Sequence, residues 1–355
     1  MTAPACRACG SPRVASRGRK RGEFIRREFE FYQCADCGLM FVEPFSGWEI
    51  YNDEYYRGHG PDPYVDYETE YRDWRTTERG VEFDDLFSIA SDALADHRTT
   101  GRQDHGTTVK LDDRTTGIPD QNLAAGSALE TTKHQSSGPV VPWSCGPTSA
   151  ARLRWLDFGC GAGAFLKYLR ERGSLAGRPL ELTGHDVGSY ADLLRTKDGF
   201  RILDLDQLRA EPAETYDVIS MIEVLEHLPA PLEPLALVAR LLKPGGLLLL
   251  TTGNLDSPVA RRQGIHYRYC APEIHVSLFN PRCLAQLYGR VGLIPYPVRY
   301  HGAVIFKVVK SLRHRRGLRA LASAALALPP VVRAIDLLYG VSAMPCAVKP
   351  RSTPP

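Results

Sequence analysis

A glycine-rich turn between a strand-like and a helix-like segment is the feature that most restricts the fold of this chain. The apolar run RLRWLDF at 152–158 is typical of a buried strand, and three glycines follow at alternate positions, Gly159, Gly161 and Gly163. Strand and helix patterns then alternate as far as Thr252. Such alternation predicts a parallel sheet covered by helices on both faces, with ligands at the carboxyl ends of the strands.

The strand and helix patterns differ in how their apolar residues are spaced. After the first strand, the strand-like segments lie at 181–186, 200–204, 216–222 and 247–252. Helix-like segments lie between most of the strands, notably at 164–172 and 232–242, and a further helix is predicted from Pro281. A strand is predicted near 303–309, and the apolar run at 344–348 is expected to insert into the sheet as its last strand.

Two closely spaced cysteine pairs mark the N-terminal segment. The chain has nine cysteines, of which Cys6 with Cys9 and Cys34 with Cys37 form two Cys-x2-Cys pairs. A glycine follows each pair and lets the chain curl around the sulfurs. In a reducing compartment such thiolates are metal ligands, so the spacing predicts a zinc ribbon at 1–43. A closed four-thiolate site has no open coordination position, so this zinc is expected to be structural.

The next two segments differ in composition. Residues 44–95 are rich in tyrosine, and the segment is predicted to form a lid over a ligand pocket and to end in a helix. The alternative role for its tyrosines is to pack the ribbon onto the sheet. The tyrosines assigned to the lid are Tyr51, Tyr55, Tyr56, Tyr64 and Tyr67. From Asp96 an eight-residue polar unit recurs, beginning with DHRTTGRQ and DHGTTVKL. Units so short and polar offer no hydrophobic face, so we expect a disordered insert at 96–149.

Charge does not commit the chain to one class of partner. Lys plus Arg number 44 and Asp plus Glu 41, a formal net charge of +3. The start lacks a basic region followed by an apolar stretch, and no segment is long and apolar enough to cross a bilayer, so we expect a cytoplasmic protein. Basic clusters at 13–27 and 307–319 suit phosphates or anionic lipid, or form solvated faces. The remaining predicted divisions are a core at 150–310, a basic helical insertion at 311–340, and a last strand with a tail at 341–355.

The glycine-rich turn taken alone fits more than one ligand. It satisfies the dinucleotide pattern G-x-G-x-x-[GA] through Gly159, Gly161 and Ala164, and Asp186 stands 22 residues later as a ribose-binding acid. A nicotinamide- or flavin-dependent oxidoreductase is therefore one reading. Against it, Asp157 precedes the first glycine by two residues, where its charge would repel a pyrophosphate but suit a cationic ligand.

With Asp157 included, residues 157–163 read acid-x-Gly-x-Gly-x-Gly and resemble the first motif of class I S-adenosylmethionine-dependent methyltransferases. The resemblance continues through YDVISMIEVLEHL at 216–228 and LKPGG at 242–246, and it covers about 152–310. It implies a Rossmann-like, doubly wound α/β sheet of seven mostly parallel strands, with S-adenosylmethionine as cofactor. The residues on which it places the cofactor are Asp157, Gly159, Cys160, Gly161, Asp186, Asp204, Leu205 and Ile222, with Asp206 as an alternative partner for adenine.

Methyl transfer from a sulfonium needs alignment and exclusion of water, and it needs a base only when the acceptor must lose a proton. The candidates for that base are His227, Glu223 and His275, with His266 nearby, although the segment EVLEHL also fits a purely structural role. The pattern Glu223, Glu226, His227 further resembles the divalent-ion site of ubiquinone-pathway and small-RNA methyltransferases, with His275 completing it. A Mg or other divalent ion there is the less favoured alternative.

The combination of a ribbon with an aromatic segment is similar to bacterial sugar and natural-product methyltransferases. It implies a small-molecule acceptor, a sugar or secondary metabolite, methylated on oxygen or carbon. Two other functions stay open. One is an RNA methyltransferase that grips nucleic acid with its basic ribbon, although aromatic residues are not interleaved with the basic clusters. The other is a zinc-ribbon binding protein without catalytic activity.

Overall fold

The computed structural model describes residues 4–52, 54–60, 72–75, 78–99, 151–298, 328–340 and 344–351. Four predictions from the sequence therefore lie wholly or mostly outside the described residues: the insert at 96–149, the strand at 303–309, the basic cluster at 307–319 and the basic helical insertion at 311–340. Tyr64 and Tyr67 of the expected lid also lie outside them.

The described strands and helices follow one another in chain order. The strands are β1 (Val14–Arg21), β2 (Glu28–Cys34), β3 (Met40–Glu43), β4 (Leu153–Phe158), β5 (Ser174–Leu175), β6 (Arg178–His185), β7 (Arg201–Leu203), β8 (Tyr216–Ile222), β9 (Leu242–Thr251), β10 (Ser277–Leu278), β11 (Ile294–Tyr296) and β12 (Cys346–Val348). The α-helices are α1 (Glu78–Thr99), α2 (Ala164–Arg172), α3 (Tyr190–Thr196), α4 (Leu205–Ala210), α5 (Leu232–Leu241), α6 (Pro258–Gln263), α7 (Pro281–Arg290) and α8 (Pro329–Tyr339). Short helical turns lie at Tyr55–His59, Leu225–His227 and Gly264–His266.

The larger sheet has the strand order β7-β6-β4-β8-β9-β12-β11. The strands from β7 to β9 are mutually parallel, and β12 is antiparallel to both of its neighbours. The two-residue strand β5 adds a short antiparallel pair to the start of β6. The predicted doubly wound, mostly parallel seven-stranded sheet is confirmed. The order reverses beside β4, so the cleft for a ligand lies at the carboxyl ends of β4, β6 and β8.

Local sequence explains where several helices begin. Helix α2 starts directly after Gly163, whose φ of 76° is a left-handed conformation suited to glycine. Asp204 caps α4, and Gln207 completes a capping box with it. Asn280 caps α7, and Pro281 occupies the first turn, where its missing N–H costs nothing.

The N-terminal strands form a second, antiparallel sheet that is joined to the core. Its order is β1-β2-β3-β10, so one strand comes from the chain that follows β9. Leu39 and Phe41 are buried in the same cluster as residues of α7, while Phe29 and Phe31 pack with Tyr267 and Tyr269 on the other side. Burial of these large apolar side chains on both faces holds the ribbon against the core.

Helix α1 and strand β11 differ from the predictions, whereas β12 agrees with its prediction. Helix α1 runs to Thr99, four residues past the predicted end at 95, because DHRT at 96–99 continues the helix. Strand β11 at Ile294–Tyr296 was not predicted, since three residues that include a proline give no strand pattern. Strand β12 lies within the predicted run at 344–348 and pairs with β9.

Among the described helices, none combines the length and apolarity that a bilayer crossing demands.

Candidate functional site

Polar side chains gather where the central parallel strands end. Asp157 is next to last in β4 and pairs in register with Ser220 of β8. Asp186 directly follows β6, and Glu223 directly follows β8. Because parallel strands place their carboxyl ends at one edge of the sheet, these groups face the same cleft.

The glycine-rich turn is closed by the end of β6. The carbonyl oxygen of His185 accepts hydrogen bonds from the amides of Gly159, at 2.7 Å, and Cys160, at 3.0 Å. Gly159 has a φ of 78°, and a Cβ there would lie 2.5 Å from Cγ2 of Val224, so only glycine fits. Gly161 has a φ of 51°, and a Cβ there would meet nothing within 4 Å. The turn therefore presents bare backbone to the cleft at Gly161.

The carboxylate of Asp186 is fixed by two backbone amides. Gly161 N–H donates to Oδ2 at 2.8 Å, and Gly188 N–H donates to Oδ1 at 2.7 Å. A carboxylate offers about four acceptor positions, so each oxygen can accept one more hydrogen bond. Binding the two hydroxyls of a ribose, the role that the resemblance implies for Asp186, would need these two free acceptor positions.

Asp157 is a buried acid held by a chain of hydrogen bonds. Its side chain is 3% exposed, and its Oδ1 accepts from Ser220 Oγ at 2.6 Å. Trp155 Nε1 in turn donates to Ser220 Oγ at 3.1 Å. Burial raises the pKa of Asp157 to about 7, with the nearby Asp186 adding to the rise and the Ser220 hydroxyl opposing it. A cation in the cleft would favour the ionised form.

The other residues expected to contact a cofactor have varied positions. The Cys160 side chain is buried in an apolar cluster with Leu166 and Ile202, so only its backbone faces the turn. The Asp204 carboxylate accepts from Gln207 N as a helix cap, which gives it a structural role. The remaining three are the exposed Asp206 and the partly buried Leu205 and Ile222.

These features fit S-adenosylmethionine better than a dinucleotide. The Asp157 carboxylate would attract a positive ammonium group and repel a pyrophosphate. The open backbone at Gly161 suits the methionine part of the cofactor, and the free acceptor positions of Asp186 suit its ribose.

A second group of polar side chains lies beside this cleft. Glu226, His227 and His275 each bring one ligand atom within 4.8 Å of the others. His227 Nδ1 lies 3.0 Å from the carbonyl oxygen of Ile274, and His275 Nδ1 lies 2.7 Å from that of Tyr269. Since a carbonyl only accepts, both Nδ1 atoms carry the proton, and both Nε2 atoms keep a lone pair. The predicted His227 and His275 are thus brought together, whereas His266 is exposed.

The Glu223 side chain is linked to this group through Tyr269. The Tyr269 hydroxyl lies 2.8 Å from Glu223 Oε2 and also contacts Glu226 Oε1, and Thr252 Oγ1 donates to Glu226 Oε2 at 2.9 Å. The short helical turn covers Leu225–His227, so it includes Glu226 and His227 but not Glu223. Glu223 instead has a φ of 53°. It therefore stands outside the three-residue group.

The titration behaviour of the group follows from burial. Burial, aided by the charge of Glu223, raises the pKa of Glu226 to about 8. Burial lowers the pKa of His227, and burial with repulsion from His227 lowers the pKa of His275 to about 3. Both imidazoles are therefore neutral at pH 7, which is the form that accepts a proton or binds a metal ion.

Two neutral imidazoles and one carboxylate are a donor set for a divalent cation. Imidazole suits Zn, Fe or Ni better than Mg, so the set favours a softer ion than magnesium. The Nδ1–H bonds to carbonyls are the usual way in which ligating histidines are oriented. The set is Glu226, His227 and His275, which are three of the four residues that the sequence suggested for such an ion, and Glu223 is not part of it.

The four cysteines of the ribbon converge as the spacing predicted. Cys6 Sγ lies 3.5 Å from Cys37 Sγ, and Cys9 Sγ lies 3.5 Å from Cys34 Sγ. All four sulfurs lie within 4.8 Å of one another. A tetrahedral zinc with Zn–S bonds of about 2.3 Å separates its sulfurs by about 3.8 Å, so the geometry fits zinc.

Several residues of the site were not found from the sequence. Ser220, Thr252 and Tyr269 contact the key carboxylates, and only tertiary folding brings them there. Tyr51 was expected as part of a lid, and its hydroxyl donates to the carbonyl of Ile274 at 3.0 Å, next to His227 Nδ1 at 2.9 Å. The aromatic segment thus reaches the histidine group.

Comparisons with known proteins show what this chain is similar to. Residues 137–295 match the family model described as "Methyltransferase domain". The ubiquinone biosynthesis O-methyltransferase of Stutzerimonas stutzeri is 31% identical over 129 residues, which are 34% of this chain and 53% of that protein. The enzyme of the same name from Nitrosococcus oceani is 35% identical over 114 residues, 30% of this chain and 46% of that protein. The chain thus spans about half the length of these curated relatives.

One of the solved structures to which this chain is similar comes from Archaeoglobus fulgidus. A SAM-dependent methyltransferase of Archaeoglobus fulgidus is 23% identical, with a TM-score of 0.33. The match covers 41% of this chain and 62% of that one.

Proposed function

We propose that this chain, whose residues 137–295 match the methyltransferase domain, is an S-adenosylmethionine-dependent methyltransferase that acts on a hydroxyl of a small molecule. The glycine-rich turn with Asp157 and Asp186 supports the cofactor assignment. The observation that carries the acceptor assignment is the convergence of Glu226, His227 and His275 beside that turn. The lone pairs of the two neutral imidazoles can take the proton that a hydroxyl must lose.

The chain would contribute alignment, charge and a proton acceptor. Methyl transfer neutralises the sulfonium, so the site must hold nucleophile, methyl carbon and sulfur in line and keep water out. Asp157 and Asp186 would hold the cofactor, and Tyr51 would close the acceptor side. His227 or His275, each with Nδ1–H tied to a carbonyl, would accept the acceptor proton at Nε2.

We further propose that Glu226, His227 and His275 hold a divalent cation. Such an ion would act as a Lewis acid and lower the pKa of a hydroxyl bound to it. The chain's part is to present two oriented imidazoles and to release the proton of Glu226 when the cation binds. Metal-free base catalysis by the same histidines is the alternative.

The acceptor class is a separate proposal. The curated relatives are named for ubiquinone biosynthesis, whereas the ribbon with its aromatic segment suggests a sugar or secondary metabolite; both classes carry hydroxyls. An RNA acceptor is less well supported, because several basic ribbon side chains are engaged within the chain. Arg13 pairs with Asp36, and Arg27 donates to the carbonyl of Phe45 at 2.9 Å. Persistent binding to RNA with a steep salt dependence would reverse this preference.

Zinc in the ribbon and a cytoplasmic location belong to the same proposal. Four thiolate ligands at Cys6, Cys9, Cys34 and Cys37 would complete a small sheet that has little core of its own. Thiolates persist in a reducing compartment, which supports the cytoplasm.

The experiment is a screen of acceptors with methyl-labelled S-adenosylmethionine. Catechols, glycosides and RNA are incubated with the purified chain and with the His275→Ala variant. We expect label in a small hydroxylated compound with the wild type only. Transfer to RNA alone, or equal transfer by the variant, would contradict the proposal.

A further inference from the structure

Glu273 is a buried carboxylate that the proposed mechanism does not use. Its side chain is 4% exposed, yet it lies in the chain between Tyr269 and His275. Its partners are three consecutive backbone amides in the turn between β1 and β2. Glu23 N–H donates at 3.1 Å and Phe24 N–H at 3.0 Å, and Ile25 N–H donates to the same carboxylate. Successive N–H groups that point at one anion form a concave anion site, filled here by a side chain of the same protein.

The neighbouring residues of the hairpin are shaped for this contact. A Cβ at Gly22 would lie 2.7 Å from the Glu273 carboxylate, so a side chain there would push the two segments apart. Lys20 Nζ donates to the carbonyl of Cys270 at 2.8 Å. We call the segment at 267–276 the histidine loop. The hairpin contributes Lys20 and the histidine loop contributes Glu273, and each of these charged groups bonds to the backbone of the other segment.

The histidine loop supplies three groups of the proposed acceptor site. The carbonyls of Tyr269 and Ile274 fix the tautomers of His275 and His227, and the Tyr269 hydroxyl bridges two carboxylates. Glu273 is the residue directly before Ile274. A backbone shift of about 1 Å there would exceed the range of a hydrogen bond and release the imidazole of His227.

We propose that Glu273 is a positioning residue through which the ribbon hairpin holds the histidine loop in its working geometry. The ribbon is then a wall of the acceptor site as well as a zinc-binding fold. The proposal rests on the proposed function for the identity of the acceptor site, whereas the coupling of hairpin and loop stands on its own. The glycine-rich turn at 157–163 makes none of these contacts, so loss of the Glu273 carboxylate should leave cofactor binding at that turn unchanged.

The test compares Glu273→Ala with Glu28→Ala, which removes an exposed carboxylate from the same sheet. Hydrogen exchange of the 267–276 amides, NMR spectra of isotope-labelled histidines, zinc content and S-adenosylhomocysteine affinity are measured on the full chain. For Glu273→Ala we expect exchange in the loop to rise at least about tenfold and the His227 and His275 signals to shift. Zinc content and cofactor affinity should stay within about threefold of the wild type.

Two further variants guard against simple unfolding. Glu273→Gln keeps one acceptor oxygen and should give an intermediate change, and Lys20→Met should shift the same signals by less. Unchanged exchange and histidine spectra in Glu273→Ala would overturn the proposal. So would a parallel loss of zinc and cofactor binding, which would mean that Glu273 supports the whole fold. None of these readouts needs the methyl acceptor, so they remain decisive if the proposed function fails.

Discussion

Replacing Asp157 by Asn should change cofactor affinity and stability in opposite directions. The carboxylate is 3% exposed and accepts a hydrogen bond from Ser220 at 2.6 Å. An amide oxygen can accept the same bond, so the substitution removes the charge and keeps the shape. The charge should help a cationic cofactor to bind but cost energy when no cofactor is present.

The pH dependence gives the size of that cost. Burial raises the folded-state pKa of Asp157 to about 7, against about 3.9 in an unfolded chain. Between these values the folded state holds a proton that the unfolded state has lost, so wild-type stability falls as pH rises from about 4 to 7. At 1.36 kcal/mol per pKa unit, the advantage of Asp157→Asn should grow by about 2–3 kcal/mol between pH 5 and pH 8.

Urea unfolding of the cofactor-free protein at the two pH values measures this change. Calorimetry with S-adenosylmethionine at pH 8 measures the effect on cofactor affinity. Loss of a charge-assisted hydrogen bond in Asp157→Asn should weaken binding roughly 10- to 150-fold. The wild type should also bind the cofactor more tightly at pH 8 than at pH 6, because Asp157 is then ionised. Cofactor binding by Asp157→Asn as tight as that of the wild type, or no gain of stability at pH 8, would contradict the role assigned to the Asp157 charge.

Three further predictions concern the other parts of the site. His275→Ala should lower kcat at least about 100-fold in the labelled-methyl assay, while S-adenosylhomocysteine affinity stays within about threefold; equal kcat would remove His275 from the mechanism. Cys37→Ser should lose ribbon zinc, measured by metal analysis, and lower the melting temperature; full zinc content would argue against a four-thiolate site. Tyr51→Phe should cost about 1 kcal/mol in urea unfolding, because one hydrogen bond to Ile274 is lost; no change would show that this bond adds nothing.

The sequence predicted the fold well where the pattern was long and local. The strand-turn-helix unit at 152–172 and the buried strands at 216–222 and 247–252 carry strong apolar periodicity, which survives in any tertiary context. Strands β10 and β11 have two and three residues, too few to show a period. The length of α1 was misjudged because a polar repeat can still continue a helix.

The site was predictable only for residues in recognisable motifs. The cysteine pairs have a spacing that itself implies convergence. The helix cap at Asp204 belongs to the pattern Asp204-x-x-Gln207, which is a local capping-box motif. Tyr269 and Glu273 were not predictable, because their partners lie far away in sequence; Glu273 contacts amides 248 to 250 residues distant.

Calorimetric titration of the wild-type chain with S-adenosylhomocysteine and, separately, with NAD⁺ tests the central assignment most directly. The cleft at the ends of β4 and β6 should bind S-adenosylhomocysteine with one molecule per chain and show no heat with NAD⁺. Binding of NAD⁺ without S-adenosylhomocysteine would contradict the account, because the buried carboxylate of Asp157 would then face a pyrophosphate.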